Sequence, residues 1–323
     1  MTIPPQFETV LSALRFHAKT QPGRIAYTFL KSDNERHAVT YQQLETHARR
    51  IAQELLRHAQ PGDRALMAYA PGLEFIEAFL GCLYAGIVAV PAFPPKKNRN
   101  AERVLAIAQD CQPTLLLCTR ETQPSLTGDF AAAVPDARIL ATDECPEPNE
   151  TALPEVMTAD LAFLQYTSGS TRSPTGVMIS HRNMVANEQL IANHFGFSQQ
   201  SIMVSWLPMF HDMGLIGGIL APLYVGFPSI LMAPNVFLRE PVKWLQAVTE
   251  FKATTTGAPN FAYDLCVKRI TPQQKASLDL SSLVVAYNGA EPVRAETLER
   301  FSEAFETCGF RKDAFFPCYG MAE

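Results

Sequence analysis

From residue 64 onward, short runs that are apolar on both faces alternate with amphipathic stretches, and this rhythm restricts the fold more than any other feature of the chain. Residues 65–69 read as a strand, 73–84 as a helix with Leu73, Ile76, Leu80 and Leu83 on one side, and 86–90 as the next strand. A helix over 102–109 precedes the apolar strand 115–118. Residues 138–141, 161–166, 202–206, 229–232, 253–256, 283–287 and 314–316 supply further strands, and Val242, Leu245, Val248 and Phe251 mark a helix among them. A strand with no polar face must be covered on both sides, so the pattern predicts mostly parallel sheets flanked by helices, an α/β fold.

At about 150 residues per domain, 323 residues make about two such units. The acidic, proline-bearing stretch 142–154 is a plausible join, giving subdomains 1–154, with a helical N-terminal segment, and 155–323; it equally suits a surface excursion within one domain. Residues 78–95 and 213–238 carry no charge and are long enough to span a bilayer. Prolines and glycines interrupt both, so they read as buried helix-turn-strand units rather than membrane spans. The net charge of −5 argues against a nucleic-acid partner, which needs a basic face, and leaves any anionic ligand to a local site. Seven cysteines without CxxC spacing, and an N-terminus without the apolar core of a secretion signal, suit a reducing cytoplasm.

Chemistry concentrates in residues 164–180, LQYTSGSTRSPTGVMIS. Between two strand-like runs, residues 167–176 hold six hydroxyls and two glycines, small donors and pliable backbone suited to wrapping phosphate. No Gly-Lys-Ser/Thr follows, so this is not a Walker loop. A polar surface turn is the alternative on the residues alone.

The loop resembles the phosphate-binding motif of the adenylate-forming superfamily of acyl-CoA synthetases, luciferases and peptide-synthetase adenylation domains. WLPMFHDMGLIGGIL (206–220) is similar to that superfamily's acyl-pocket motif, AYNGAEPVRAETLERF (286–301) to its nucleotide-pocket motif, and CYGMAE (318–323) to the motif that holds adenine and magnesium. The wording TSGSTRSP, PMFHDMG, NGAEPVRAET and FLGCLYAGIVAVPAFPP most resembles fatty acyl-AMP ligases, which load fatty acids onto acyl carrier proteins of polyketide and nonribosomal peptide synthases. The resemblance implies two helix-covered, mostly parallel sheets packed together as the large N-terminal domain of such an enzyme, with ATP and Mg²⁺ as cofactors. It implies that Thr167, Ser168, Gly169, Ser170, Thr171, Thr175 and Gly176 close on the β and γ phosphates. Gly289, Ala290, Glu291 and Pro292 would line the adenine pocket, Tyr319 would stack on the base beside Gly320 and Met321, and Glu323 would ligate Mg²⁺. His211 would sit beside the acyl carboxylate and the α-phosphate.

The chain departs from the pattern in two places. The phosphate motif usually reads Pro-Lys-Gly, whereas Pro174, Thr175 and Gly176 stand here, leaving Arg172 as the loop's one cation and the candidate to replace lysine. The sequence also stops at a strand end, where resembling enzymes continue into a ribose-binding Asp and a small domain with a catalytic Lys. It therefore reads as an N-terminal fragment, poorly active alone and unable to complete transfer to a carrier protein. Peptide-synthetase domains place an acid near the His211 position to grip a substrate amine. Here the apolar Trp206, Met209, Phe210, Met213, Leu215 and Ile216 favour a fatty acid, and the small Gly257, Ala258 and Pro259 leave room for an alkyl chain. A fatty acyl-CoA ligase, and a non-catalytic nucleotide- or acyl-binding module, remain as alternatives.

Overall fold

The computed structural model describes residues 6–31, 35–95, 101–146, 152–167 and 174–322. Its strands are β1 (Ile25–Leu30), β2 (Arg36–Thr40), β3 (Arg64–Ala68), β4 (Val88–Ala92), β5 (Leu115–Cys118), β6 (Arg138–Ala141), β7 (Leu161–Tyr166), β8 (Gly176–Ser180), β9 (Met203–Ser205), β10 (Ser229–Met232), β11 (Thr255–Ala258), β12 (Val285–Asn288) and β13 (Phe315–Pro317). They form a seven-stranded sheet in the order β13-β12-β11-β9-β10-β1-β2 and a six-stranded sheet in the order β6-β5-β3-β4-β7-β8. Apart from the antiparallel β7–β8 pair, the strand pairs in register from β3 to β7 and from β1 to β13 are parallel. Each sheet belongs to one compact unit: residues 25–38 and 190–321 build the first, residues 5–24 and 39–189 the second.

The boundary expected near residue 154 falls inside the six-stranded sheet. After residues 142–154 the chain returns to that sheet, where β7 pairs with β4 through Phe163 and Ala89. The first 63 residues are likewise divided, because β1 pairs with β10 and so joins the other sheet.

Local chemistry sets the ends of the elements. The helix Tyr41–Leu55 starts at a reciprocal cap: Thr40 Oγ1 accepts the Gln43 N–H and Gln43 Oε1 accepts the Thr40 N–H. The helix Leu73–Ala85 is buried over almost its whole surface and stops at Gly86, whose φ of +66° lies in the left-handed region that glycine tolerates. Within this layer Phe79 meets Phe163 of β7 edge-on at 5.6 Å between ring centres. Truncating Phe79 to alanine would remove about 3–5 kcal/mol.

Two strands start later than their apolar runs suggest. Ala253 belongs to the end of the helix Val242–Phe251, its N–H bonded to the Val248 carbonyl past Lys252 at φ +49°, so β11 begins at Thr255. Leu283 closes a turn on Leu280, and β12 begins at Val285. Residues 213–238 fold as a π-helix (Met213–Leu220), a helix (Ala221–Val225), β10 and a short helix, and no helix among the described residues is long and apolar enough to cross a membrane.

Candidate active site

In the second unit, β7 and β8 frame the hydroxyl-rich loop. Tyr166 pairs with Gly176, and one step further the Thr167 N–H donates to the Thr175 carbonyl at 3.3 Å, closing the base of the loop. A Cβ on Gly176 would lie 2.9 Å from Tyr166 Cζ, so glycine is required for the tyrosine ring to cross the hairpin. The Tyr166 hydroxyl donates to Asp110 Oδ2 at 2.5 Å, and burial together with this bond raises the phenol well above its ordinary pKa. Arg103 donates Nη2 to the Thr167 carbonyl at 3.0 Å. Both braces come from the helix Ala101–Cys111, far upstream in sequence, and sequence reasoning missed them. Ser168, Gly169, Ser170, Thr171 and Arg172 lie outside the described residues.

In the first unit, β9 leads through Trp206 to a turn that ends at the π-helix. The His211 N–H donates to the Pro208 carbonyl at 3.1 Å, and the His211 carbonyl accepts from Leu215 at 2.8 Å, which fixes the histidine backbone at the helix entrance. His211 Nδ1 lies 2.5 Å from Asp212 Oδ1, and the same oxygen accepts the Met213 N–H at 2.6 Å. Burial pushes the Asp212 carboxyl up, but the His211 bond and charge and the Met213 N–H outweigh it and hold the group below its usual range. Nδ1 is thus taken up by Asp212 and the Met213 N–H, which leaves Nε2 as the nitrogen that the half-exposed imidazole can present to a ligand.

Beyond β12 the chain turns sharply at residues 289–292. A Cβ on Gly289 would stand 2.7 Å from Cys318 Sγ, while Ala290 takes φ +66°, an unusual cost for a residue with a side chain. Two neighbours hold the turn. Asn260 donates Nδ2 to the Pro292 carbonyl at 2.8 Å and accepts the Arg294 N–H at 3.1 Å, and Glu291 accepts the Phe261 N–H at 3.3 Å. Glu291 therefore serves the start of the helix Asn260–Arg269 rather than that of the helix Ala295–Phe305, which follows it in sequence. The Cys318 N–H bonds to the Asn288 carbonyl at 2.8 Å, placing Tyr319, Gly320 and Met321 just past this turn. Tyr319 is 88% exposed, an aromatic face open to a planar ligand.

Three buried polar atoms at the carboxyl ends of β9 and β12 have no partner among the described residues: Trp206 Nε1, the Tyr287 hydroxyl and Asn288 Oδ1. That edge of a parallel sheet is where ligands bind in open α/β folds. The space beside Gly257, expected to hold an alkyl chain, instead holds the Tyr287 ring: a Cβ on Gly257 would overlap its Cε2 and Cζ atoms. Gly257 and Tyr287 are direct partners in the β11–β12 register, so removing the side chain at one admits the ring of the other.

In the first unit an exposed ring stands near a tight turn at a sheet's carboxyl edge, features able to meet a planar ligand; in the second, the glycine-bearing hairpin closes the base of a loop rich in small donors. Among the described residues no group of three or more His, Cys, Asp and Glu side chains is placed to hold a metal. Magnesium bound through a single carboxylate and phosphate oxygens needs no such group. Glu323, the expected carboxylate, lies outside the described residues.

A model of the AMP-binding enzyme family matches residues 14–323. The chain is 41% identical over 332 residues to the medium-chain-fatty-acid acyl-carrier-protein ligase JamA of Moorena producens (strain JHB), covering 99% of this chain and 55% of that protein. It is 38% identical to the long-chain-fatty-acid AMP ligase FadD26 of Mycobacterium marinum (strain ATCC BAA-535 / M), covering 99% and 57%. The crystal structure of a fatty acid AMP ligase from Legionella pneumophila superposes with a TM-score of 0.94 at 44% identity, covering 98% of this chain and 56% of that one. A fatty acyl-adenylate ligase from L. pneumophila in complex with acyl adenylate and pyrophosphate gives 0.93 at the same identity and coverage. The chain thus spans a little over half the length of the curated relatives it matches.

Proposed function

The chain belongs to the family of AMP-binding enzymes, and from that premise we propose that it activates a fatty acid as its acyl-adenylate for transfer to an acyl carrier protein of a polyketide or nonribosomal peptide synthase in the cytoplasm. The fatty acid carboxylate attacks the α-phosphorus of ATP in line, a C–O–P bond forms, and pyrophosphate leaves with the electron pair of the broken P–O bond.

The carrying observation is Asp212. Its Oδ1 is engaged by both the His211 ring and the Met213 N–H, which commits one oxygen of this acid to orienting the imidazole rather than gripping a substrate amine, and this supports a fatty acid over an amino acid. His211 holds its second nitrogen toward the reacting carboxylate and α-phosphate. The turn Gly289–Ala290–Glu291–Pro292 and Tyr319, with Gly320 and Met321, receive the adenine. Thr167, Thr175 and Gly176 fix the base of the loop whose hydroxyls, backbone amides and Arg172 bind the terminal phosphates. Mg²⁺, when bound at Glu323, supplies charge neutralisation on the phosphate oxygens.

The test is single-turnover formation of acyl-adenylate from stoichiometric chain, ATP, Mg²⁺ and a fatty acid, followed by mass spectrometry. Acyl-adenylate with a fatty acid and none with amino acids supports the reading; ATP binding without adenylate favours a non-catalytic nucleotide-binding module. Adding carrier protein or coenzyme A to the chain joined to the C-terminal part of a relative separates the two acceptors, since this chain alone is expected not to complete transfer. The FadD21 relatives, named as putative fatty-acid–CoA ligases, make the second arm necessary.

A further inference from the structure

Across the seven-stranded sheet, Phe29, Leu231 and Ser205 are register partners in turn, Gly257 pairs with Tyr287, and Tyr287 with Phe316. Thr256 pairs with Val204, so Ser205 and Gly257 continue one row on one face of the sheet. That face meets the π-helix Met213–Leu220. The Tyr27 hydroxyl donates to the Ile219 carbonyl at 2.9 Å, Ser229 Oγ to the Gly218 carbonyl at 2.8 Å, and a Cβ on Gly218 would stand 3.1 Å from Ser205 Oγ. Small residues therefore line both walls, Ser205 and Gly257 on the sheet and Gly217 and Gly218 on the helix.

The Tyr287 ring lies across this slot. It covers Gly257, its hydroxyl stands 3.1 Å from where a Cβ on Gly217 would be, and its far side stacks on Phe195 at 5.7 Å between ring centres. A tyrosine kept only for packing finds a partner for its hydroxyl when buried. Tyr27, Tyr69 and Tyr263 do so, on the Ile219 carbonyl, Thr142 and the Tyr287 carbonyl. The Tyr287 hydroxyl has none among the described residues, so the ring is held by its bulk against Gly257, Gly217 and Phe195 rather than by a hydrogen bond. A π-helix with consecutive glycines against a strand glycine is a costly way to house one ring, and such features recur where a ligand must approach the backbone.

We propose that Tyr287 is the specificity-determining residue that sets the length of the acyl chain: its ring plugs the slot between the π-helix and the sheet, and alkyl carbons beyond that depth are excluded. This rests on the fatty-acid reading above. The ring fills the space between Gly257, Gly217 and the Phe195 ring, so removing it leaves room bounded by small and aromatic residues, of the kind that methylene groups favour.

The experiment measures calorimetric binding of saturated fatty acids from hexanoate to hexadecanoate to the full chain, as wild type, Tyr287→Val and Tyr287→Phe, with circular dichroism on each. Wild-type affinity is expected to rise with chain length and then stop. Tyr287→Val moves that limit to longer acids, each further buried methylene adding about fourfold in affinity, while Tyr287→Phe keeps the wild-type limit. Where circular dichroism finds Tyr287→Val unfolded, Tyr287→Met, with a flexible chain able to lie aside, carries the test. An unchanged limit in the folded valine or methionine variant, or a limit that shifts equally in Tyr287→Phe, overturns the proposal and leaves the fatty-acid reading standing. Failure of wild type and all variants to bind any fatty acid overturns both.

Discussion

One oxygen of Asp212 serves two partners, the Nδ1 of His211 at 2.5 Å and the N–H of Met213 at 2.6 Å, so the residue that orients the imidazole also begins the π-helix. Asp212→Ala should therefore cost about 1 kcal/mol of stability, as for a lost helix cap, and slow adenylate formation while leaving ATP affinity unchanged. The folded carboxyl titrates below its unfolded value near 3.9, so its contribution is present above that pH and is lost as pH falls through the folded value. Urea melts of wild type and variant should differ at pH 7 and converge as pH falls below about 3.9. A gap of constant size would show that the ionised acid is not what stabilises the turn.

The helix His181–Phe195 carries two buried ionisable groups whose charged forms burial disfavours. Burial lowers His181 to about 4, opposed weakly by Asp160, and burial raises Glu188, neither of whose carboxylate oxygens has a partner among the described residues, well above its ordinary value. For the histidine, the unfolded chain binds more protons below about 6.5, so its part of the stability is lost as pH falls from there toward 4. For the glutamate the sign is reversed: its penalty grows as pH rises from about 4.3 toward the folded value, so acid relieves it. Between pH 6.5 and 5 the two slopes oppose one another. Glu188→Gln should expose the histidine slope and lose stability on acidification relative to wild type, and His181→Gln should gain relative to wild type. Parallel pH profiles for all three proteins would rule out these linkages.

Gly176→Ala should destabilise the hairpin by about 1–3 kcal/mol, because the added methyl meets the Tyr166 ring at 2.9 Å and Asp110 holds that ring through its hydroxyl. Tyr166→Phe leaves the Asp110 carboxyl without that donor and should cost about 1–3 kcal/mol. Thermal unfolding checks both. The double variant should cost less than the sum of its parts if the same ring contact is at stake.

Arg172 is the cation proposed for the phosphate loop in place of the missing lysine. Its removal as Arg172→Ala should weaken ATP binding by about 1.5–3 kcal/mol, roughly tenfold to hundredfold. Thr175→Lys should leave binding unchanged or improve it. Titration calorimetry with ATP distinguishes this from a loop that relies on hydroxyls and backbone amides alone, for which Arg172→Ala would bind ATP as wild type does.

The strands were legible where burial on both faces left a plain apolar mark, as in β5 and β10, and the helix Leu73–Ala85 was legible to within a residue of its end. Pairing partners were not. Nothing in β1 announces that Tyr27 will lie beside Ser229, or in β7 that Phe163 will lie beside Ala89, because register between distant strands leaves no local trace. The same limit governs the site. His211 and the 289–292 turn could be singled out from their neighbours in sequence, whereas the Arg103 and Asp110 braces and the Tyr287 plug depend on contacts between segments far apart. An orphaned hydroxyl is visible only once everything around it is in place. Gly257 is a signal in the sequence, but a small residue marks equally well a space for a ligand and a space filled by a neighbouring side chain, here the Tyr287 ring.

The β1–β10 pairing also bears on how the chain is made. On the ribosome, residues 39–189 emerge as a continuous stretch and hold all six strands of one sheet, so that unit can fold while synthesis continues. β1 has left the exit tunnel long before then, yet the neighbour that orders its edge, Ser229 to Met232, is about two hundred residues behind it. For that interval β1 has only β2 beside it and its β10 edge is open to other chains, so translation speed between residues 40 and 232 becomes a determinant of yield, and that edge of IAYTFL the one a chaperone would need to shield.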